Sequence, residues 1–447
     1  MSALFDNTPP RKDTFSFKWQ KYKGKDIIPA WVADTEFRCA QPILDAISGQ
    51  VEHGNMGYIL PAHHEGAIQA VVRWLKDKHN WEIQPEWLVW TPGVVPAFNV
   101  ACKAYCEPGD KVLIQTPNYP PLLAAPKLNG LERVDIGTVV QNDDGTSSET
   151  ISSVEGARYT LDFEALEREA ADPKCKLFIL CNPMNPVGSV LTKAELDRIA
   201  EICNANNVKL CSDEIHCDLI LEEGKQHIPA GRESNLAENS VTLMAASKTF
   251  NIAGLGTSFA IIPNRQLRQA FTNAAAGIVP WVTVLGLAAT EAAFTQCDEW
   301  HQQQLTYLRE NRDMVFNTVN SIDGLKMLPI MIPIMTAIGK VAGEDTVNYI
   351  NIGLGVLDLV ASGNPASIAM ALFGAAMHEW GVQRQRKLDN EHPDKYRGRN
   401  LARIYVDGVW RPALVKDITK STAFLSRDQS VSFEYGDELL WVFDNEG

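Results

Sequence analysis

The segment VKLCSDEIH, residues 208–216, passes from a short apolar run to a cluster of polar side chains. Two other segments, KVLIQTP at 111–117 and CKLFILCNP at 175–183, follow the same course and end in turn-forming residues. Short apolar runs bounded in this way are typical of buried strands. From about residue 30 to residue 329 they alternate with amphipathic segments of helical length. This alternation predicts an α/β fold in which helices cover a mostly parallel sheet.

The polar residues at the strand ends form the first candidate functional site. TPNY, CNPMNP and SDEIH each follow a predicted strand, and in open α/β sheets ligands bind beyond the carboxyl ends of the strands. Proline and asparagine are also common turn residues, so each motif alone is compatible with a simple turn. Their recurrence at three strand ends favours a binding site.

A single lysine stands in the otherwise uncharged segment AASKTFNIAGL, residues 245–255, directly after the strand-like SVTLMA. Lysine is costly to bury, and a surface position for Lys248 is the simplest interpretation. The alternative is functional, because a lysine in a low-dielectric site has a lowered pKa and can form a Schiff base. This segment by itself leaves both interpretations open.

The composition limits the classes of function. The chain has 447 residues, a formal net charge of −14 and 45% hydrophobic residues, as expected of a globular protein with two or three domains. The acidic balance argues against nucleic acid or an anionic membrane as a partner. Nine cysteines without a CxxC pair predict reduced thiols, and the N-terminus shows no secretory signal. We expect a cytoplasmic protein, and the histidine spacing does not support a metal site.

The sequence changes character in its last quarter. Residues 349–377 are nearly all small or apolar, but Asp358 and an SGNP break leave halves too short for a membrane span of about 20 residues. A helical hairpin is the better interpretation. Farther on, residues 402–415 and 431–444 have the pattern of strands joined by Asp-Gly or Gly-Asp turns. We therefore predict an α+β tail.

Four motifs occur in the order HGNMGY, CNPMNPVG, SDEIH and SKTFNIAGL. On these motifs, residues 30–329 resemble the fold-type I pyridoxal-phosphate enzymes, and within them the MalY/PatB type of cystathionine β-lyases, which are related to the class I/II aminotransferases. The resemblance implies an aminotransferase-like fold. It also implies an N-terminal arm with part of the small domain at 1–45, a cofactor-binding large domain at 46–285 and the start of the small domain at 286–329. Residues 330–447 are unassigned, so the small domain is incomplete or replaced.

The resemblance also implies how individual residues would act on pyridoxal 5'-phosphate. Lys248 would hold the cofactor covalently and later move the Cα proton of the substrate. Asp213 would keep the pyridine nitrogen protonated, which makes the ring an electron sink. Asn185 and His216 would lie near the phenolic oxygen, and Tyr119 would stack on the ring. Lys248, Asp213 and Tyr119 are the predicted catalytic residues.

A second set of residues would bind the cofactor's phosphate. The backbone N–H groups of Val94 and Val95 would do so at a helix N-terminus, which favours anions. Ser247 would assist, because Ala245 stands where relatives carry a hydroxyl group. Tyr58, in HGNMGY, resembles the tyrosine that reaches the phosphate of the neighbouring subunit. The resemblance therefore implies a homodimer with shared active sites.

The implied function is pyridoxal-phosphate-dependent β-elimination from cystathionine or a cysteine-like amino acid, which yields a thiol, pyruvate and ammonia. One alternative is a class I/II aminotransferase. Another is a weakly active, cofactor-binding scaffold with an interaction or membrane-associated tail. The arginine with which the family binds the substrate carboxylate is not recognisable after GLKMLP, and Arg403 and Arg399 are weak substitutes. We therefore expect impaired turnover.

Overall fold

The computed structural model describes residues 3–6, 8–24, 29, 32–142, 147–148, 157–320 and 328, together with strands between 401 and 443. It divides the chain into two compact units, 1–368 and 369–447, which are taken separately below. The predicted hairpin at 349–377 lies outside the described residues.

Helices and strands alternate along the first unit. Its described helices are α1 (Ala3–Asp6), α2 (Phe17–Gln20), α3 (Gln41–His53), α4 (Glu65–His79), α5 (Val94–Tyr105), α6 (Pro120–Leu128), α7 (Phe163–Ala170), α8 (Lys193–Ala205), α9 (Ser234–Ala237), α10 (Arg265–Ala275), α11 (Val284–Gln296) and α12 (Asp298–Asn320). Its described strands are β1 (Leu88–Thr91), β2 (Lys111–Thr116), β3 (Glu132–Gln141), β4 (Ser147–Ser148), β5 (Arg158–Leu161), β6 (Cys175–Cys181), β7 (Lys209–Asp213), β8 (Ser240–Met244) and β9 (Ser258–Ile261). The three strands predicted at 111–117, 175–183 and 208–214 are thus confirmed as β2, β6 and β7.

The strands of the first unit form one mixed sheet. Its order is β1-β9-β8-β7-β6-β2-β3-β4, with β5 also paired to β3. The five neighbours β8, β7, β6, β2 and β3 are parallel, whereas β9, β4 and β5 join antiparallel. The predicted α/β fold with a mostly parallel sheet is confirmed.

Helices cover both faces of the sheet, because the strand residues alternate between two apolar cores. In β6, Leu177 and Ile179 pack with α5, α6 and α10. Phe178 and Leu180 point to the other face and pack with α7 and α8. A strand that is buried on both faces reads as a continuous apolar run, which is why CKLFILC was recognisable.

A third apolar core lies over the β8–β9 side of the sheet. There α3, α4 and α11 pack on residues of β8 and β9 such as Met244 and Phe259. Trp74 of α4 stacks on Phe294 of α11, with ring centroids 4.8 Å apart. This core places α4 close to the segment that follows β7, where its side chains form contacts described below.

The topology collects several loops at one edge of the sheet. β2, β6, β7 and β8 are parallel, so their carboxyl ends share that edge. β1 and β8 are both antiparallel to β9, so β1 ends there too, and α5 begins three residues later at Val94. The segments carrying Tyr119, Asn185, Asp213 and Lys248 all start from this edge.

The second unit contains a four-stranded antiparallel sheet. Its strands, in spatial order, are β10 (Leu401–Val406), β11 (Val409–Ile418), β12 (Ser430–Tyr435) and β13 (Glu438–Phe443). Where they are described, the residues of the two stretches interpreted as strands in the tail lie in these four elements. Arg403 is on β10, opposite Pro412 in the backbone register.

No helix in the described part of the chain is long and apolar enough to cross a membrane. All nine cysteines are within that part and are unpaired, and seven of them are buried. Burial raises the pKa of several of these thiols, for example that of Cys203 to about 12. Buried thiols with a raised pKa are poor nucleophiles.

Candidate active site

The carboxyl group of Asp213 occupies the end of β7, where only 3% of the residue is exposed. It accepts a hydrogen bond from the backbone N–H of Ile215 at 3.2 Å. Burial nevertheless raises the pKa of Asp213 to about 7, against the smaller opposing effect of the positive charge on Lys248. The protein alone therefore compensates the ionised carboxylate poorly, and a cationic partner would stabilise it.

Lys248 lies in the loop that follows β8, the neighbour of β7 in the sheet. Its Nζ donates a hydrogen bond of 2.7 Å to the main-chain carbonyl of Ala33. Burial lowers the pKa of Lys248, although the charges of Asp34 and Asp213 oppose the shift. The interpretation of Lys248 as an ordinary surface lysine is therefore wrong, because the amine is partly buried and faces a carboxylate.

His216 and Tyr119 lie close enough to these two residues to interact electrostatically with them. Burial and the charge on Lys248 lower the pKa of His216 to about 3, so its imidazole is neutral at physiological pH. Burial and the charge of Asp213 raise the pKa of Tyr119, a residue that is still 38% exposed. A partly exposed aromatic ring within electrostatic range of Asp213 can stack on a planar ligand.

Asn185 is half-buried in the loop after β6, which a 2.7 Å hydrogen bond from Met184 N–H to the Ser189 carbonyl helps to close. Other amide side chains near this edge have unused donors. Among the described residues, the side-chain nitrogens of Gln115, Asn118 and Asn182 are buried and without a partner. Buried donors of this kind are costly unless a ligand or water accepts from them.

The predicted phosphate-binding groups lie in two places. Val94 and Val95 form the first turn of α5, where backbone N–H groups lack helical acceptors. Ser247 is half-buried beside Lys248, and Ala245 is buried without a hydroxyl group, as the sequence indicated. Tyr58 is different, because it is fully exposed and touches Trp281 with ring centroids 6.4 Å apart. Within one chain, Tyr58 is thus a surface residue.

The side chains at this edge fit pyridoxal 5'-phosphate. The cofactor needs an amine for its aldehyde, an anion beside its ring nitrogen, donors for its phenolic oxygen and N–H groups for its phosphate. Lys248 and Asp213 provide the first two, and the raised pKa of Asp213 is relieved by a protonated ring nitrogen. The unpartnered amide donors and the first turn of α5 match the oxygen-rich parts of the cofactor.

The structure adds a segment that sequence reasoning missed, residues 33–39. Besides the contact between Ala33 and Lys248, Asn251 donates to the carbonyls of Thr35 and Phe37 at 3.0 and 2.8 Å. Arg11 forms an ion pair with Asp34 at 2.5 Å. The two acidic residues Asp34 and Glu36 within the otherwise uncharged WVADTEF run were the available sequence signal.

One buried group has the composition of a metal site. The potential ligand atoms of His79, Cys217 and Asp218 lie within 4.8 Å of one another. However, His79 Nε2 is already 2.8 Å from Asp218 Oδ1, and burial raises the pKa of the Cys217 thiol, which disfavours the thiolate form that metals bind. The arrangement is better explained as a hydrogen-bonded pair with a buried thiol nearby.

Comparisons with known proteins agree with the geometry. A sequence model of the family described as aminotransferase class I and II matches residues 34–341. Cystathionine beta-lyase PatB of Bacillus subtilis is 37% identical over 317 residues, which cover 69% of this chain and 76% of PatB.

Two solved structures resemble this one. The crystal structure of OvoB is 40% identical with a TM-score of 0.67, over 73% of this chain and 82% of that chain. Cystalysin from Treponema denticola, whose crystal structure contains pyridoxal 5'-phosphate, is 32% identical with a TM-score of 0.66, over 74% and 82% of the two chains.

Proposed function

The chain belongs to the class I and II aminotransferase family, and from that premise we propose that it is a pyridoxal-phosphate-dependent carbon–sulfur β-lyase. Its proposed substrates are L-cystathionine and related cysteine-like amino acids. One observation carries the proposal, namely that a partly buried lysine, Lys248, and a buried carboxylate, Asp213, lie within electrostatic range of each other at the carboxyl edge of the sheet. The names of the relatives favour the lyase over an aminotransferase.

The proposed reaction consumes one water per L-cystathionine and releases homocysteine, pyruvate and ammonia. Pyridoxal phosphate, when bound, supplies an electron sink for the negative charge that develops at Cα. Lys248 Nζ removes the Cα proton, and burial lowers the pKa of this amine, which favours the neutral form that can act as a base. The bond between Cβ and sulfur then breaks, and the aminoacrylate that leaves hydrolyses to pyruvate and ammonia.

The other site residues orient the reactants in this proposal. Asp213 holds a proton on the pyridine nitrogen. Asn185 donates to the phenolic oxygen, and neutral His216 lies nearby without adding a positive charge. Tyr119 covers one face of the ring, and the first turn of α5 with Ser247 holds the phosphate. Their placement at one edge supports these roles.

L-Cystathionine incubated with the holoprotein is expected to give pyruvate without any added 2-oxo acid. Lactate dehydrogenase with NADH measures the pyruvate, and a thiol reagent measures homocysteine in equal amount. We expect kcat/KM below about 10⁴ M⁻¹s⁻¹, since a missing carboxylate contact costs about 1.5–3 kcal/mol. A faster reaction would show that another group, with Arg399 or Arg403 the first candidates, binds the carboxylate.

An aminotransferase would use the same residues to remove the Cα proton and would differ in where the proton returns. It would therefore release a 2-oxo acid only once per cofactor unless an acceptor were present. Turnover that depends on an added 2-oxo acid would replace the lyase by this alternative. Binding of cofactor without either reaction would favour the scaffold interpretation.

We also propose that the protein is a homodimer. Tyr58 is fully exposed, and its ring contacts Trp281. Leu60 is close to Tyr58 in the sequence and Ile278 is close to Trp281. Each of these three neighbours is more than half exposed. A second copy of the chain would bury such residues and would bring Tyr58 to its phosphate site. Light scattering should then give about 99 kDa, twice 49.5 kDa. A mass of one chain at micromolar concentration would contradict the dimer.

A further inference from the structure

Two buried pairs of histidine and carboxylate lie behind the turn that follows β7. Glu214 and His227 have fully buried side chains, with His227 Nε2 2.6 Å from Glu214 Oε2. Asp218 and His79 have side chains that are 4% exposed and lie 2.8 Å apart. The two imidazole rings approach edge to face, with centroids 5.9 Å apart, so the pairs adjoin each other.

Glu214 connects the turn to two other parts of the chain. Its Oε1 accepts from Ser212 Oγ of β7 at 2.8 Å and from the backbone N–H of Ala230 at 2.9 Å, while Oε2 accepts from His227. The segment that provides Ala230 is itself held tightly. A Cβ on Gly231 would come within 2.8 Å of Thr242 Oγ1, so this backbone lies directly against β8.

Asp218 connects the same turn to two helices. Its Oδ1 accepts from His79 Nε2 and from Trp74 Nε1 at 3.0 Å, both on α4. Its main-chain carbonyl accepts from His301 of α12 at 2.6 Å. Although burial would raise the pKa of Asp218, the hydrogen bond and charge of His79 outweigh it and lower the pKa.

Two residues of the same turn, Asp213 and His216, face the candidate active site. Asp213 and His216 both interact with the charge of Lys248, whereas Glu214 and Asp218 point away to the histidines. The turn is short and internally bonded, with Cys217 N–H donating to the Glu214 carbonyl at 2.9 Å. Within residues 213–218, two side chains thus face the site, and the two carboxylates that bind the histidines are held in the protein interior.

A purely stabilising role explains this arrangement poorly. Taking ionised groups out of water costs several kcal/mol per ion, and well-packed apolar residues would often stabilise a core equally well. Hydrogen bonds from several directions restrict the position of a side chain. Residues that orient reacting groups typically need to be restricted in this way. The position of the pairs directly behind Asp213 and His216 shows which groups are restricted.

We propose that Glu214 and Asp218 are positioning residues which, through His227 and His79, fix the turn that carries Asp213 and His216. The inference rests on the proposed function, since it concerns how these two side chains meet the cofactor. Neither Glu214 nor Asp218 touches the reacting atoms. Their effect is to hold the Asp213 carboxyl and the His216 imidazole in one orientation.

Glu214→Gln and Glu214→Ala in the holoprotein test this role. We expect Glu214→Ala to weaken pyridoxal phosphate binding by about 10- to 100-fold, as loss of an orienting contact does elsewhere. The pH at which the bound cofactor changes its visible absorbance should also shift, because this spectrum reports on the groups beside the ring. Glu214→Gln should retain most of the binding, since its amide oxygen can still accept from Ser212 and Ala230.

Glu195→Gln is the matched control. Glu195 is also a buried carboxylate, 9% exposed, that pairs with Arg158 at 2.7 Å and accepts from the Thr192 N–H at the start of α8. Glu195→Gln should lower the unfolding temperature, while the cofactor affinity and the pH midpoint of the absorbance change stay as in wild type.

Two results would overturn the inference. The first is that Glu214→Ala loses thermal stability as Glu195→Gln does but keeps the wild-type cofactor affinity and absorbance midpoint. The second, available if Glu214→Ala fails to fold, is that His227→Gln, which changes the partner of Glu214 Oε2, matches wild type in these two measurements. If the wild-type protein itself does not bind the cofactor, the proposed function is wrong. If the wild-type protein and every variant bind the cofactor equally well, only the positioning role is wrong.

Discussion

Lys248→Ala is expected to lower the rate of pyruvate release from L-cystathionine by about 1,000-fold or more. Removal of a positioned base costs about 100- to 10,000-fold, and this lysine is also the residue proposed to hold the cofactor. Burial lowers the pKa of Lys248, and its amine donates a hydrogen bond to the Ala33 carbonyl within electrostatic range of Asp213. Initial rates at saturating pyridoxal phosphate measure the effect.

Two further lysine variants make the result specific. Lys248→Arg keeps the positive charge but cannot lose it near neutral pH, so it should be as inactive as the alanine variant. Lys76→Ala removes an exposed lysine that pairs with Glu82 at 2.9 Å and should be as active as wild type. Substantial activity in Lys248→Arg would mean that Lys248 contributes charge and not proton transfer.

The second large effect is expected at Asp213. Asp213→Asn keeps the size of the side chain and its contact with the Ile215 N–H, but it removes the charge that keeps the pyridine nitrogen protonated. Loss of one preorganised electrostatic contact in a buried site costs about 100- to 1,000-fold in kcat. The same assay should therefore show a fall of that size with the cofactor still bound. Asp197→Asn, on the surface of α8, serves as control.

The same substitution should stabilise the cofactor-free protein. The pKa of Asp213 is about 7 when folded against 3.8 as its ordinary value, so the folded state binds this proton more tightly than the unfolded state. Stability from this group is therefore complete below pH 3.8 and is lost as the pH rises through 7. At pH 8 the buried charge costs of the order of 4 kcal/mol, which asparagine avoids.

Thermal unfolding of the cofactor-free proteins measures this difference. Asp213→Asn should unfold at a higher temperature than wild type at pH 8, and the gap should narrow towards pH 5, where Asp213 is protonated. Saturation with pyridoxal phosphate should favour wild type, because its carboxylate then has a cationic partner. Equal stabilities at pH 8 would mean that Asp213 is compensated by the protein itself.

The sheet and the ends of its strands could be predicted from the sequence because local patterns encode them. Apart from Lys176, CKLFILC is apolar on both faces of the strand, and the polar cluster SDEIH begins where β7 ends. The helices at 41–53, 193–205 and 298–320 lie in the part of the chain where segments of helical length alternate with the predicted strands. Lys248 could be singled out because its segment contains no other charge.

Contacts between distant residues could not be predicted in this way. Ala33 and Lys248 are 215 positions apart, and only the folded chain brings this carbonyl to the amine. The partners of Glu214 and Asp218 also come from separate elements, so SDEIHCD indicates neither His227 nor His79. A local pattern indicates which segments start at the carboxyl ends of the strands. The direction in which each side chain of these segments points depends on tertiary packing.

Borohydride reduction of the holoprotein followed by peptide mass spectrometry tests the central claim most directly. The measurement identifies the amine to which the cofactor is attached. We predict a single modified residue, Lys248, in the peptide that contains AASKTFNIAGL. Modification of a different lysine, or no modification at saturating pyridoxal phosphate, would contradict a cofactor site between Lys248 and Asp213.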